Sequence, residues 1–163
     1  MSNPIRLCLW FDSQAEEAAA FYTGIFRDSK MGAITRYPAA GREMHGREPG
    51  SVMTVAFELN GQAFLALNGG PLFTFSEAVS LEVLCDDQAG IDYYWDRLSE
   101  GGDPAAQQCG WLKDRFGLSW QIAPRAWEDL VGGADTARAE RVYAAMFQMK
   151  KLDIAGLERA ARG

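Results

Sequence analysis

The 163-residue chain is poor in the side chains from which most metal and redox sites are built, with one histidine and three cysteines. His45 falls in the polar stretch "GREMHGREPG" and reads as an exposed loop residue. Cys8, Cys85 and Cys109 form no C-x-x-C pair, and the first two lie in apolar runs, where a free thiol behaves as a small hydrophobe. This spacing excludes a zinc ribbon or a thioredoxin-type motif and leads us to expect a reduced, cytoplasmic protein. G-x-G also occurs nowhere. The glycine turn between strand and helix through which a dinucleotide or S-adenosylmethionine site approaches its cofactor is therefore missing, and no cofactor is expected.

Long apolar runs are missing too. No window reaches the length of a membrane span, and "MSNPIRLCLWFDS" lacks the basic and apolar regions of a signal peptide, so the chain is expected to be neither embedded nor secreted. Basic residues are outnumbered, 16 against 22 acidic, for a net charge of −6. Nucleic acid and anionic membranes demand clustered Lys and Arg, and neither is expected as a partner.

What the chain does have is apolar material for one good core, at 48% hydrophobic and 23% charged residues. "IRLCLWF" reads as a strand ending at Asp12, and Asp12 or Ser13 can cap the helix "QAEEAAAFYTGIF" that follows. "MGAITRYP", "SVMTVAFEL" and "QAFLAL" read as three more strands. Asn60-Gly61 between the last two is a strong hairpin signal, because both central residues of a type I′ turn need positive φ. The second half repeats this order. "AVSLEVLC" is a strand, "DDQAGIDYYWDRLSE" a helix entered through Asp86-Asp87, and Gly101-Gly102 its stop.

Laying Asp12-Ser13-Gln14-Ala15 on Asp86-Asp87-Gln88-Ala89 matches three of four residues, and puts Phe21 on Trp95. "QAFLAL" after Gly61 then corresponds to "LSWQIA" after Gly117, with Leu65 on Gln121. The expectation is an α+β protein of two tandem βαβββ modules, 4–71 and 75–125, within one domain spanning 1–125. A helical extension follows over 126–163, with Val142, Met146 and Met149 as its apolar stripe and Asp153 able to cap a last helix. Its apolar face must be covered either by the chain's own body or by a second copy, and a homodimer is expected.

The segments "WFDSQAEEAAAFYTGIF", "LNGGPLFTFSEAVSLEVLCDDQAGIDYYWDRLSEGG", "CGWLKDRFGLSWQIAP" and "MFQMKKLDIAGLERA" resemble the PhnB-like branch of the vicinal oxygen chelate superfamily, often labelled demethylubiquinone methyltransferase-like. That superfamily includes glyoxalases, bleomycin-resistance proteins and extradiol dioxygenases. The resemblance implies half-barrel sheets with helices on their convex side, and, in metal-dependent members, ligands on inward positions of the first and last strands of each half. Here those positions are Gln121 and Leu65 on the last strands, with Cys8 and Glu82 on the first strands in one register or Arg6 and Ser80 in the other. Neither register assembles a full donor set, so no glyoxalase-type metal site is expected.

Glu82 interrupts an apolar strand and points either into a polar pocket, as a candidate general base or polar anchor, or to solvent at an edge. Gln121, which can both donate and accept, is the other polar candidate. Trp10, Leu65 and Trp111 are candidate apolar walls, although aromatics at strand spacing also serve as plain core. Lys113-Asp114-Arg115 reads as the charged turn of a hairpin, solvated or paired locally, with a grip on an anionic substrate as the lesser alternative. The functional expectation is a protein that binds, or converts without a metal, a small and largely apolar molecule in a cup-shaped cavity. A metal-dependent lyase or dioxygenase, a bleomycin-resistance-like sequestering protein and a structural dimer are the alternatives.

Overall fold

The computed structural model describes residues 5–163; Pro4, where the first module was expected to begin, lies outside them. The chain divides into two units, the first ending at Thr74 and the second spanning Phe75–Gly163. No helix among the described residues is long and apolar enough to cross a membrane.

In the first unit β1 (Leu7–Phe11) leads into α1 (Ala15–Ile25), followed by β2 (Lys30–Arg36), a short α2 (Arg42–His45), β3 (Val52–Leu59) and β4 (Gln62–Asn68). The sheet order is β1-β4-β3-β2, with β1 parallel to β4 and the other pairs antiparallel. Leu9, Phe11, Val55, Phe57, Phe64 and Ala66 are buried on one face with Ala15, Ala18, Ala19 and Tyr22 of α1. Period-two alternation leaves Cys8, Trp10, Leu65 and Leu67 on the opposite face. Asn60 and Gly61 take φ of 47° and 78°, which makes the expected tight hairpin between β3 and β4.

α1 is not capped by Asp12 or Ser13, as the local sequence suggests. Its first N–H, on Ala15, donates to Asn68 Oδ1 at 2.8 Å, from the far end of β4. Asn68 Nδ2 donates to the Val52 carbonyl at 3.1 Å, and the Asn68 carbonyl accepts from the Tyr37 hydroxyl at 2.5 Å. Buried Asn68 thus joins a helix start, two strands and a loop. Gly69 must be a glycine, because a Cβ there would lie 2.2 Å from the Trp10 indole. The indole N–H in turn donates to the Gly70 carbonyl at 2.8 Å.

The second unit repeats the plan with β5 (Ser80–Cys85), α3 (Gln88–Leu98), β6 (Trp111–Lys113) and β7 (Ser119–Pro124), and the sheet order is β5-β7-β6. Asp87 caps α3 as expected, accepting from the Gly90 N–H at 2.8 Å. The duplicated register is visible in the backbone. Cys8 lies opposite Leu65 and Glu82 opposite Gln121, and Gly69 N–H to Phe11 O recurs as Arg125 N–H to Cys85 O.

One element of the expected second βαβββ is replaced. Where a counterpart of β2 would run, the chain makes a 3-10 turn at Pro104–Ala106 and a single bridge between Gln108 and Trp111. Proline cannot donate to a ladder, and the Asp103 carboxylate accepts from the Ala105 N–H to close a turn instead. Gly102 also packs against β6 so tightly that a Cβ would lie 2.0 Å from the Lys113 carbonyl.

The extension forms α4 (Trp127–Val131), α5 (Thr136–Met146) and α6 (Ile154–Arg162) within this second unit. Val142, Leu152 and Leu157 are buried. Asp153 stands at the start of α6 without a side-chain capping bond; Gln88 Oε1 accepts from Ile154 N–H instead, at 2.9 Å, while Gln88 Nε2 donates to the Leu152 carbonyl.

Asn68→Ala is expected to lower stability by roughly 2–4 kcal/mol, since it strands buried backbone groups as well as a helix cap. Urea denaturation measures the loss. Asn68→Asp, which keeps the acceptor for Ala15 but loses the donor to Val52, should fall between the two.

Candidate functional site

The expected hairpin of charged residues is built differently from its sequence reading. Asp114 is 2% exposed rather than solvated. Its Oδ1 accepts from the N–H groups of Phe116 and Leu118 at 2.8 and 3.1 Å, and its Oδ2 from the Trp120 indole at 2.8 Å. This carboxylate closes the β6–β7 turn and fixes Trp120 and Leu112 on the buried face. Trp111 and Lys113 consequently face the other way, opposite Gln121 and Ser119.

That open face of the second sheet carries Ser80 and Glu82 from β5, Ser119 and Gln121 from β7, and Trp111 and Lys113 from β6. Gln121 Nε2 donates to Ser80 Oγ at 2.8 Å. Glu82, directly opposite Gln121, is exposed. Trp10 and Leu65 occupy the matching face of the first sheet, both half-buried. The register places Glu82, Gln121 and Trp111 side by side within one unit, and Leu65 beside Cys8 in the other.

A cavity of about 460 Å3 opens at the β6 end of the second unit. Trp111, Ala106 and Phe147 provide its apolar surface, and Cys109, Ser119, Lys113 and Glu77 its functional groups. Phe147 is brought there by the extension, because Cys109 N–H donates to the Met149 carbonyl and Gly110 N–H to the Lys150 carbonyl, each at 2.8 Å. Gly110 is at φ 84°, and a Cβ would press on the Ile122 carbonyl at 2.9 Å. Of the sequence candidates, Trp111 lines this cavity. Lys113, weighed in the sequence as a grip for an anion, lines it too. Ser119 and Phe147 carry no local signal, because one needs the β6–β7 register and the other the docking of the extension.

Residues 3–123 match the family model described as 3-demethylubiquinone-9 3-methyltransferase. The chain belongs to this family, the PhnB-like branch of the vicinal oxygen chelate superfamily. A Bacillus cereus protein described as a putative 3-demethylubiquinone-9 3-methyltransferase, PhnB protein, is 35% identical; the match covers 74% of this chain and 98% of that one, with a TM-score of 0.61. The fold is also shared with a Pseudomonas aeruginosa protein at 20% identity, covering 76% of this chain and 98% of that chain with a TM-score of 0.56. A third is the Listeria monocytogenes fosfomycin resistance protein FosX, in a structure with Mn(II) and sulfate, at 13% identity, 79% and 94% coverage and a TM-score of 0.51. Among proteins with curated descriptions, none matches.

The residues do not fit the metal that some vicinal oxygen chelate proteins use. Cys8 lies opposite Leu65 in the first unit and Glu82 opposite Gln121 in the second, and leucine offers no donor. Among the described residues no cluster of three or more His, Cys, Asp or Glu could hold an ion. His45, expected in an exposed loop, lies in α2 with its ring 4.8 Å from that of Tyr37 and its Nδ1 accepting from the Arg47 N–H.

The three thiols differ in environment. Cys8 is exposed, Cys109 half-buried and Cys85 buried. Burial, reinforced by the neighbouring carboxylates of Asp86 and Asp87, pushes the Cys85 thiol up to about 11. A thiol-reactive chromogenic disulfide at pH 8 should therefore label Cys8 readily and Cys109 more slowly, and reach Cys85 only after denaturant is added. Three thiols titrating together in the native protein would contradict this order.

Proposed function

We propose that this protein binds a small, largely apolar molecule, without a glyoxalase-type metal, in the cavity on the open face of its second sheet. The observation that carries the reading is the make-up of the cavity wall. Aromatic and aliphatic surface from Trp111, Phe147 and Ala106 surrounds a few placed polar groups, in a volume of about 460 Å3. Small-molecule sites are commonly built this way and at this scale. Gln121 and Glu82 extend a polar strip along the same face, and Trp10 and Leu65 offer apolar surface on the corresponding face of the first sheet.

Methyl transfer, the activity in the family's description, gains no support from these residues. The strand-to-helix turns carry Asp12-Ser13-Gln14 and Asp86-Asp87, with no glycine to admit a nucleotide-bearing cofactor to the backbone. A reducing, cytoplasmic setting belongs to the same proposal and suits three free cysteines.

A thermal-shift screen of small aromatic compounds tests the reading, because only ligands that prefer the native state raise the melting temperature. At least one compound class should do so. Trp111→Ala should then weaken its binding by roughly tenfold, the loss of about 1.4 kcal/mol. Glu16→Gln, on the helix of the first unit, should leave binding unchanged. A panel without a single shift, or a shift insensitive to Trp111, refutes the assignment.

A further inference from the structure

The polar groups in the cavity specify more than a generic apolar ligand. Ser119 is 1% exposed, and its Oγ is buried without a hydrogen-bond partner. Buried hydroxyls are nearly always satisfied, so an orphan on a cavity wall marks a place where an occupant completes the bonding. Directly across the β6–β7 pair stands Lys113, the cation of the same wall. Its side chain is 25% exposed, and its Nζ meets Glu77 Oε1 at 2.5 Å.

Glu77 is the loosely held half of this pair. It comes from the turn before β5, and its side chain is 64% exposed. Exposed carboxylates return to water at little cost, so an ion pair of this kind exchanges partners readily. In the absence of a ligand the chain fills the position in front of Lys113 with a carboxylate of its own. Lys113 holds that carboxyl below its ordinary range by hydrogen bonding and charge.

We propose that the ligand is a flat aromatic carboxylate, whose carboxylate replaces that of Glu77 at Lys113 and accepts a hydrogen bond from Ser119 Oγ, while its ring lies against Trp111 and Phe147. This inference rests on the binding reading above and deepens it. One amine and one hydroxyl suit a planar monoanion with two acceptor oxygens. A phosphate or phosphonate calls for more donors, of the kind an arginine fork or a row of backbone amides supplies, and the cavity wall has no arginine.

The test uses two probes of equal shape, 2-naphthoate and its neutral amide, titrated by calorimetry against the full chain at pH 7 and low salt. Naphthoate should bind roughly tenfold more tightly than naphthamide, the scale of one charge-assisted hydrogen bond. Glu77→Gln, which frees Lys113, should tighten naphthoate several-fold and leave the amide unchanged. Lys113→Met should erase the preference. Ser119→Ala removes an unpartnered hydroxyl, so it should fold as well as the parent by thermal melt while binding naphthoate less tightly.

Equal binding of both probes, still lost in Trp111→Ala, overturns the carboxylate assignment and leaves the apolar binding site standing. A weakening of naphthoate in Glu77→Gln also overturns the exchange. Binding of neither probe overturns the carboxylate assignment, and whether the apolar site falls with it is read from the separate thermal-shift screen.

Discussion

Each unit depends on a parallel pairing between its first strand and its last, β1 with β4 and β5 with β7. A strand that feeds a helix and is then flanked by the final strand of the same unit must close its end against that strand, because the carbonyl at the strand-to-helix turn is otherwise left unpaired. The closing bond is the same in both units, Gly69 to Phe11 and Arg125 to Cys85. With the register locked in this way, alternation buries one face of each sheet with its helix and leaves the other open. Glu82 and Gln121 meet, and Lys113 and Ser119 meet, because of that lock.

The two halves then secure themselves by different chemistry. In the first, the amide of Asn68 serves as a remote cap and a cross-strand tie, and Gly69 makes way for an indole. In the second, a carboxylate, Asp114, satisfies two backbone donors and an indole within one hairpin, and Gln88 reaches across to start α6. Buried polar groups of this kind contribute mainly because leaving them unpaired is so costly. Against that background the unpartnered hydroxyl of Ser119, a residue of the cavity wall, stands out.

The open faces of the two units differ in chemistry. The first pairs a thiol, Cys8, with an aliphatic side chain, Leu65, and the second a carboxylate, Glu82, with an amide, Gln121. The cavity lies at the β6 edge, where the extension supplies Phe147 to its wall.

Much of this was legible in the residues alone. The duplication, the Asn60-Gly61 hairpin and the Asp87 cap are local patterns, set by turn chemistry and side-chain periodicity, and they reappear in the fold. Tertiary structure decided the rest. It moved the cap of α1 from Asp12 or Ser13 to Asn68, took Asp114 out of solvent, turned the expected strand after Gly102 into a 3-10 turn and carried Phe147 to the cavity. Each of those outcomes turns on which distant group supplies the missing hydrogen bond or the missing apolar wall. Local propensity cannot rank such partners, because their value depends on burial that exists only once the sheets have closed.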